Sequence, residues 1–136
     1  MELRIGNSSD YLIIKDIEPE GQVGVDPIDI HFLRGTIQLQ MSEISSNIGA
    51  SFTLGELRQF LPDLQRLYDT LKFSFVFKNI EDNIELTFKP TPNGQIEING
   101  LLRNSDYTGS IKFKIETDQS YLPGLIENLK EMLREL

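Results

Sequence analysis

The chain has no cysteine, no tryptophan and a single histidine, His31. Without thiols no disulfide forms, and nothing calls for an oxidising compartment. The Cys/His zinc spacings are excluded. Cys-His and Ser-His-Asp nucleophile systems have one imidazole and no thiol to draw on. No apolar run approaches the ~20 residues needed to span a bilayer. Met1-Glu2-Leu3-Arg4-Ile5 lacks the basic region and apolar core of a signal peptide. No G-x-G-x-x-G, Walker-type or EF-hand pattern occurs, so neither a nucleotide nor a calcium loop is supported. These absences point to a cytoplasmic protein without metal or cofactor, one that binds rather than catalyses.

What is present is well patterned for folding. The 136 residues are 39% hydrophobic and 25% charged, the profile of an ordinary globular chain with one core. The net charge is -8. A field of that sign repels phosphate backbones and favours basic partners, so nucleic acid is not expected as a ligand. Solubility alone is the plainer explanation of such a charge.

Tyr11 to Ile17 reads as a strand, apolar on both faces at its centre. The stretch from Asp16 to Asp29 then turns acidic, with prolines and glycines between, and reads as a loop. It holds Asp16, Glu18, Glu20, Asp26 and Asp29, the candidate partner-binding residues. A solvated acidic loop is the ordinary alternative. His31 lies two residues from Asp29, but no nucleophile pairs with it, and an ordinary strand histidine is expected. Gly35 suggests a bulge or bend, after which Thr36 to Met41 alternates cleanly. Ile44 to Phe52 reads as a weaker strand, interrupted at Asn47 and Gly49.

Thr53-Leu54-Gly55-Glu56 is a capping box, and opens a helix to Leu71 with Pro62 inside it. The phase of its leucines favours one bent helix over two. Strands beginning at Phe73, Ile84, Ile96 and Ile111 alternate apolar with polar residues and are joined by short turns, an antiparallel meander over 73–117. Glu81 and Asp82 fall at a hairpin tip. Asp118 or Ser120 caps a last helix with Pro123 in its first turn and an apolar stripe from Leu122 to Leu133. The expected fold is α+β: a single domain over residues 1–136, a mostly antiparallel sheet with a C-terminal meander packed by two amphipathic helices.

The segments Phe52-Thr53-Leu54-Gly55-Glu56-Leu57-Arg58-Gln59-Phe60-Leu61, Gly94-Gln95-Ile96-Glu97-Ile98 and Phe113-Lys114-Ile115-Glu116-Thr117-Asp118-Gln119-Ser120-Tyr121-Leu122 carry a resemblance. In this layout, over about residues 30–136, the chain resembles the WapI-like bacterial immunity proteins. The resemblance implies a cytoplasmic, non-enzymatic protein that protects its cell by binding the nuclease domain of a polymorphic toxin, with no family binding residue to carry over. Two other classes stay open. One is a housekeeping or structural interaction domain with another partner. The other is a carboxylate-based hydrolase, which needs two acids in one concave pocket, one with a raised pKa.

Overall fold

In the computed structural model, residues 2–19 and 32–136 are described. The first four strands are β1 (Glu2–Gly6), β2 (Tyr11–Pro19), β3 (Phe32–Gln40) and β4 (Ser45–Thr53). They pair antiparallel in chain order as the first sheet. Alternation sends Leu3, Ile5, Leu12, Ile14, Ile37, Leu39, Ala50 and Phe52 to one buried face. Ile13 is buried on the other face, as the doubly apolar centre of β2 implied.

The loop expected from Asp16 starts later than the sequence suggests, because β2 runs on to Pro19. Lys15 pairs with Thr36 but Glu18 pairs with Arg34, so a bulge at Asp16 and Ile17 absorbs an extra residue. Asp16 takes a left-handed backbone, φ 55, which aspartate tolerates better than most residues. The bulge expected at Gly35 is therefore on the strand opposite. Gly35 makes room for it, since a methyl there would lie 3.1 Å from Ile17 Cγ1 and 3.3 Å from the Lys15 carbonyl. β4 is continuous through Asn47 and Gly49, where an interruption was expected.

The helix α1 runs unbroken from Leu54 to Thr70 with Pro62 inside it. Both halves of the capping box are made: the Thr53 amide donates to Glu56 Oε1 at 2.7 Å, and the Glu56 amide donates to Thr53 Oγ1 at 3.1 Å. Leu54, Leu57, Phe60, Leu64 and Leu67 form its buried stripe, with Leu61 only partly buried. The helix ends at Leu71, whose left-handed backbone lets its amide reach the Leu67 carbonyl at 2.8 Å.

The second sheet is the meander: β5 (Phe75–Lys78), β6 (Ile84–Pro90), β7 (Gln95–Arg103) and β8 (Ser110–Asp118), again paired in chain order. Phe73 precedes β5 instead of opening it, with the Arg66 guanidinium 4.1 Å from its ring centre. Gly100 sits opposite Phe113 in the ladder. A methyl on Gly100 would enter the Phe113 ring. Gly100→Ala is expected to cost ~1–3 kcal/mol through overpacking. Urea unfolding checks this, and Phe113→Leu should recover part of the loss in the double variant.

Asp118 caps a 3-10 turn, Gln119–Tyr121, that leads into α2 (Leu122–Glu135). Its carboxylate accepts from the Ser120 amide at 2.8 Å and from the Ser120 hydroxyl. These bonds hold its pKa below the usual carboxylate range. Pro123 lies in the first turn of α2, where its missing donor costs little. Leu122, Leu125, Ile126, Leu129 and Met132 turn inward, and α2 packs on α1 and β1.

The α+β class stands, with the eight strands found among the described residues divided between two sheets that share one core. Two seams join them. Thr117 Oγ1 donates to the Gly6 carbonyl at 2.8 Å and Asn7 Nδ2 to the Glu116 carbonyl at 2.6 Å. On the other side Phe52 stacks on Phe77, centroids 6.2 Å apart. Phe60 sits at the centre, 4.2 Å from Phe77, 5.7 Å from Phe88 and 6.1 Å from Phe75 between centroids.

Candidate functional site

Of the candidate partner-binding residues, Asp16 and Glu18 are exposed on the last stretch of β2. Glu20, Asp26 and Asp29 lie outside the described residues, as does His31. Glu18 shares a ladder row with Arg34 and Ser51. Strands lie about 4.8 Å apart, so Glu18 is roughly 10 Å from Ser51. The Ser51 carbonyl accepts from Asn79 Nδ2 at 3.0 Å. The acidic end of β2 therefore faces the same end of the molecule as the β5–β6 turn.

That turn is built on two buried asparagines, Asn79 and Asn83, 1% and 2% exposed. Asn79 Oδ1 accepts from the amides of Asn83 at 2.8 Å and Ile84 at 3.1 Å. Asn79 Nδ2 also reaches Asn83 Oδ1 at 3.1 Å, and Asn83 Nδ2 donates to the Arg103 carbonyl at 3.2 Å. Every polar atom of the pair is satisfied, as burial requires. Ile80, Glu81 and Asp82 are thereby pushed out to solvent, with Asp82 in a left-handed backbone.

In a meander, alternate turns fall at the same end, so the β7–β8 turn lies beside this one. Its Asn104 Oδ1 accepts from the Gly109 amide at 3.0 Å. Asp106 accepts from the Thr108 hydroxyl at 2.7 Å and the Thr108 amide at 3.2 Å, which lowers its pKa. The Tyr107 hydroxyl donates to the Glu81 carbonyl, joining the two turns. Arg103 Nη1 donates to the Asp82 carbonyl at 3.3 Å. The result is one tip carrying Glu81, Asp82 and Asp106, with Ile80 62% and Tyr107 56% exposed.

Beside the tip, Ser46, Asn47 and Ile48 of β4 face Leu102, Asn104 and Gly109 to Ile111 across a groove of about 340 Å³. Its walls are neutral. A hollow of about 160 Å³ between α1 and β5 holds Glu56 and Asp63. Burial raises the Glu56 pKa, against hydrogen bonds from Thr53 and Ile80 that lower it. A raised acid beside a second acid is what a carboxylate hydrolase needs, but the geometry is poor. The two acids are seven residues apart on one helix, a rise of roughly 10.5 Å. Glu56 is committed to the capping box, and Asp63 Oδ1 accepts from Gln59 Nε2 at 3.3 Å. Among the described residues no group of three or more His, Cys, Asp or Glu is arranged to hold a metal ion. No helix among them is long and apolar enough to cross a membrane.

Glu81 and Asp82 are visible in the sequence as a hairpin tip. Ile80, Asp106 and Tyr107 are not visible as their neighbours. The available signal is topological: two hairpin turns of one meander, each opened by asparagine, must share an end.

A family model described as the immunity protein WapI-like family matches residues 4–136. The match includes the N-terminal strands, which the resemblance over residues 30–136 left out. None of the curated proteins matches the chain. Among solved structures, WHY1 from Arabidopsis thaliana superposes with a TM-score of 0.58 at 14% identity, over 98% of this chain and 88% of that one. WHY3 from Arabidopsis thaliana gives 0.57 at 13% identity, over 98% and 86%. The plant transcriptional regulator PBF-2 gives 0.54 at 10% identity, over 98% and 80%. These are likenesses of fold.

Proposed function

Because this chain belongs to the WapI-like immunity protein family, we propose that it is a non-enzymatic inhibitor that binds and neutralises a basic toxin nuclease. The family match over residues 4–136 carries this reading. The net charge of -8 supports it, since a nuclease must present cations to phosphates and opposite fields steer fast association. The cytoplasm, where nucleic acid is cut, is where such an inhibitor has to act. Asp16, Glu18, Glu20, Asp26 and Asp29 are the proposed steering residues. The likeness to a plant transcriptional regulator is one of fold and adds no second reading.

Co-expression with the toxin domain encoded beside its gene should keep cells alive. Lysine at the five steering positions should slow association on the order of 10-fold at low salt, with a difference that shrinks as salt rises. Stopped-flow binding to a catalytically dead toxin domain measures this. An unchanged on-rate would exclude this segment from steering, and failure to protect cells would count against the immunity reading itself.

A further inference from the structure

Steering charges set how fast partners meet, whereas desolvated anchors set how long they stay together. The acidic stretch of β2 has the first character and the hairpin tip has the second. Isolated exposed apolar residues need no explanation. Here Ile80 and Tyr107 share one tip with Glu81, Asp82 and Asp106, and the Tyr107 hydroxyl reaches the Glu81 carbonyl. Tyrosine suits an anchor, offering a large rigid face at little entropic cost. The buried asparagine pair holds the β5–β6 turn from beneath, so little ordering remains to be done on binding.

We infer that this tip is the anchoring contact for the partner: a cationic patch with an apolar notch on the toxin domain closes over Tyr107 and Ile80. The inference rests on the immunity reading. Charge complementarity selects the occupant. The tip's acids face solvent, and the adjacent cation, Arg103, is tied to the Asp82 carbonyl. An arginine or lysine of the partner gains the carboxylates and the tyrosine face together.

The test uses the full chain and the catalytically dead toxin domain encoded beside its gene, followed by surface plasmon resonance. Ile80→Ala with Tyr107→Asn removes both anchors, and asparagine tolerates the left-handed backbone at position 107. Dissociation should quicken by ~30-fold or more, with association changed less than about threefold. Tyr107→Phe keeps the ring and should stay close to the parent. Glu81→Lys with Asp82→Lys and Asp106→Lys should weaken binding and lessen its salt dependence. A matching thermal midpoint shows that each variant is folded. On binding, amides of residues 79–83 and 104–109 should gain protection from hydrogen exchange. Parent-like dissociation by the double variant overturns the anchor, and no complex with the parent chain overturns the immunity reading instead. Self-association of the parent that the double variant abolishes, with toxin binding intact, overturns the inference in favour of a contact between copies of this chain.

Discussion

Phe60→Ala should destabilise the protein by ~3–5 kcal/mol, the usual cost of deleting a fully buried phenylalanine. Phe60 is 1% exposed and its ring touches those of Phe75, Phe77 and Phe88. It joins α1 to the second sheet, and the cavity left behind has rings on several sides that cannot all collapse inward. Against a total stability of ~5–15 kcal/mol, this is about a fifth or more of what holds the domain folded. The urea midpoint should fall by roughly 1–5 M, given a slope of about 1–3 kcal/mol/M that itself stays unchanged. Leu61→Ala is the comparison, because Leu61 is only partly buried one position along the same helix. Should Leu61→Ala prove the costlier change, the placement of the helix face is wrong.

Asn79→Ala should cost about 3 kcal/mol, although it removes a small polar side chain. The loss comes from what is stranded: the amides of Asn83 and Ile84 lose their acceptor and Asn83 Oδ1 loses its donor. Each unsatisfied buried group costs ~1–3 kcal/mol, reduced where water enters. Asn79→Asp keeps the acceptor for the two amides, loses both donations and buries a charge, so it should be no better tolerated. Denaturant unfolding measures the stability, and exchange of the Asn83 and Ile84 amides localises it. Those amides should exchange far faster while residues of β2 keep their protection relative to global unfolding. Parent stability in Asn79→Ala would show that the bonds do not hold the turn.

The elements that were legible are those whose information is local. Thr53 and Glu56 fix the start of α1 within four residues, and both bonds form. Phe75, Phe77, Leu86, Phe88, Ile96 and Ile98 alternate, and all are buried. What failed depends on distant partners. Asp16 among prolines, glycines and other acids looks like the start of a loop. Only the ladder to β3 shows that the strand continues past a bulge. Leu61 and Phe60 are adjacent on α1, and the turn of the helix relative to the sheets decides which of them is central. Period-two alternation gives each strand a face but not a sheet, so nothing between Thr53 and Phe75 signals that pairing stops at β4 and begins anew at β5. The tip was divided for the same reason. Glu81 and Tyr107 lie 26 residues apart, and only the meander brings them together.

The seam between Gly6 and Thr117 has a consequence for biosynthesis. Its two residues are 111 positions apart, and α2, which covers β1, is made after the strands of both sheets. All four strands of the first sheet leave the ribosome before the elements that close over β1 exist. Until Leu122 and the rest of α2 emerge, a nascent chain carries Leu3 and Ile5 on a strand that still lacks its helix. The vulnerable interval for aggregation is therefore the whole time spent translating the meander. Contacts of such long sequence separation also place the closing of this seam late in folding.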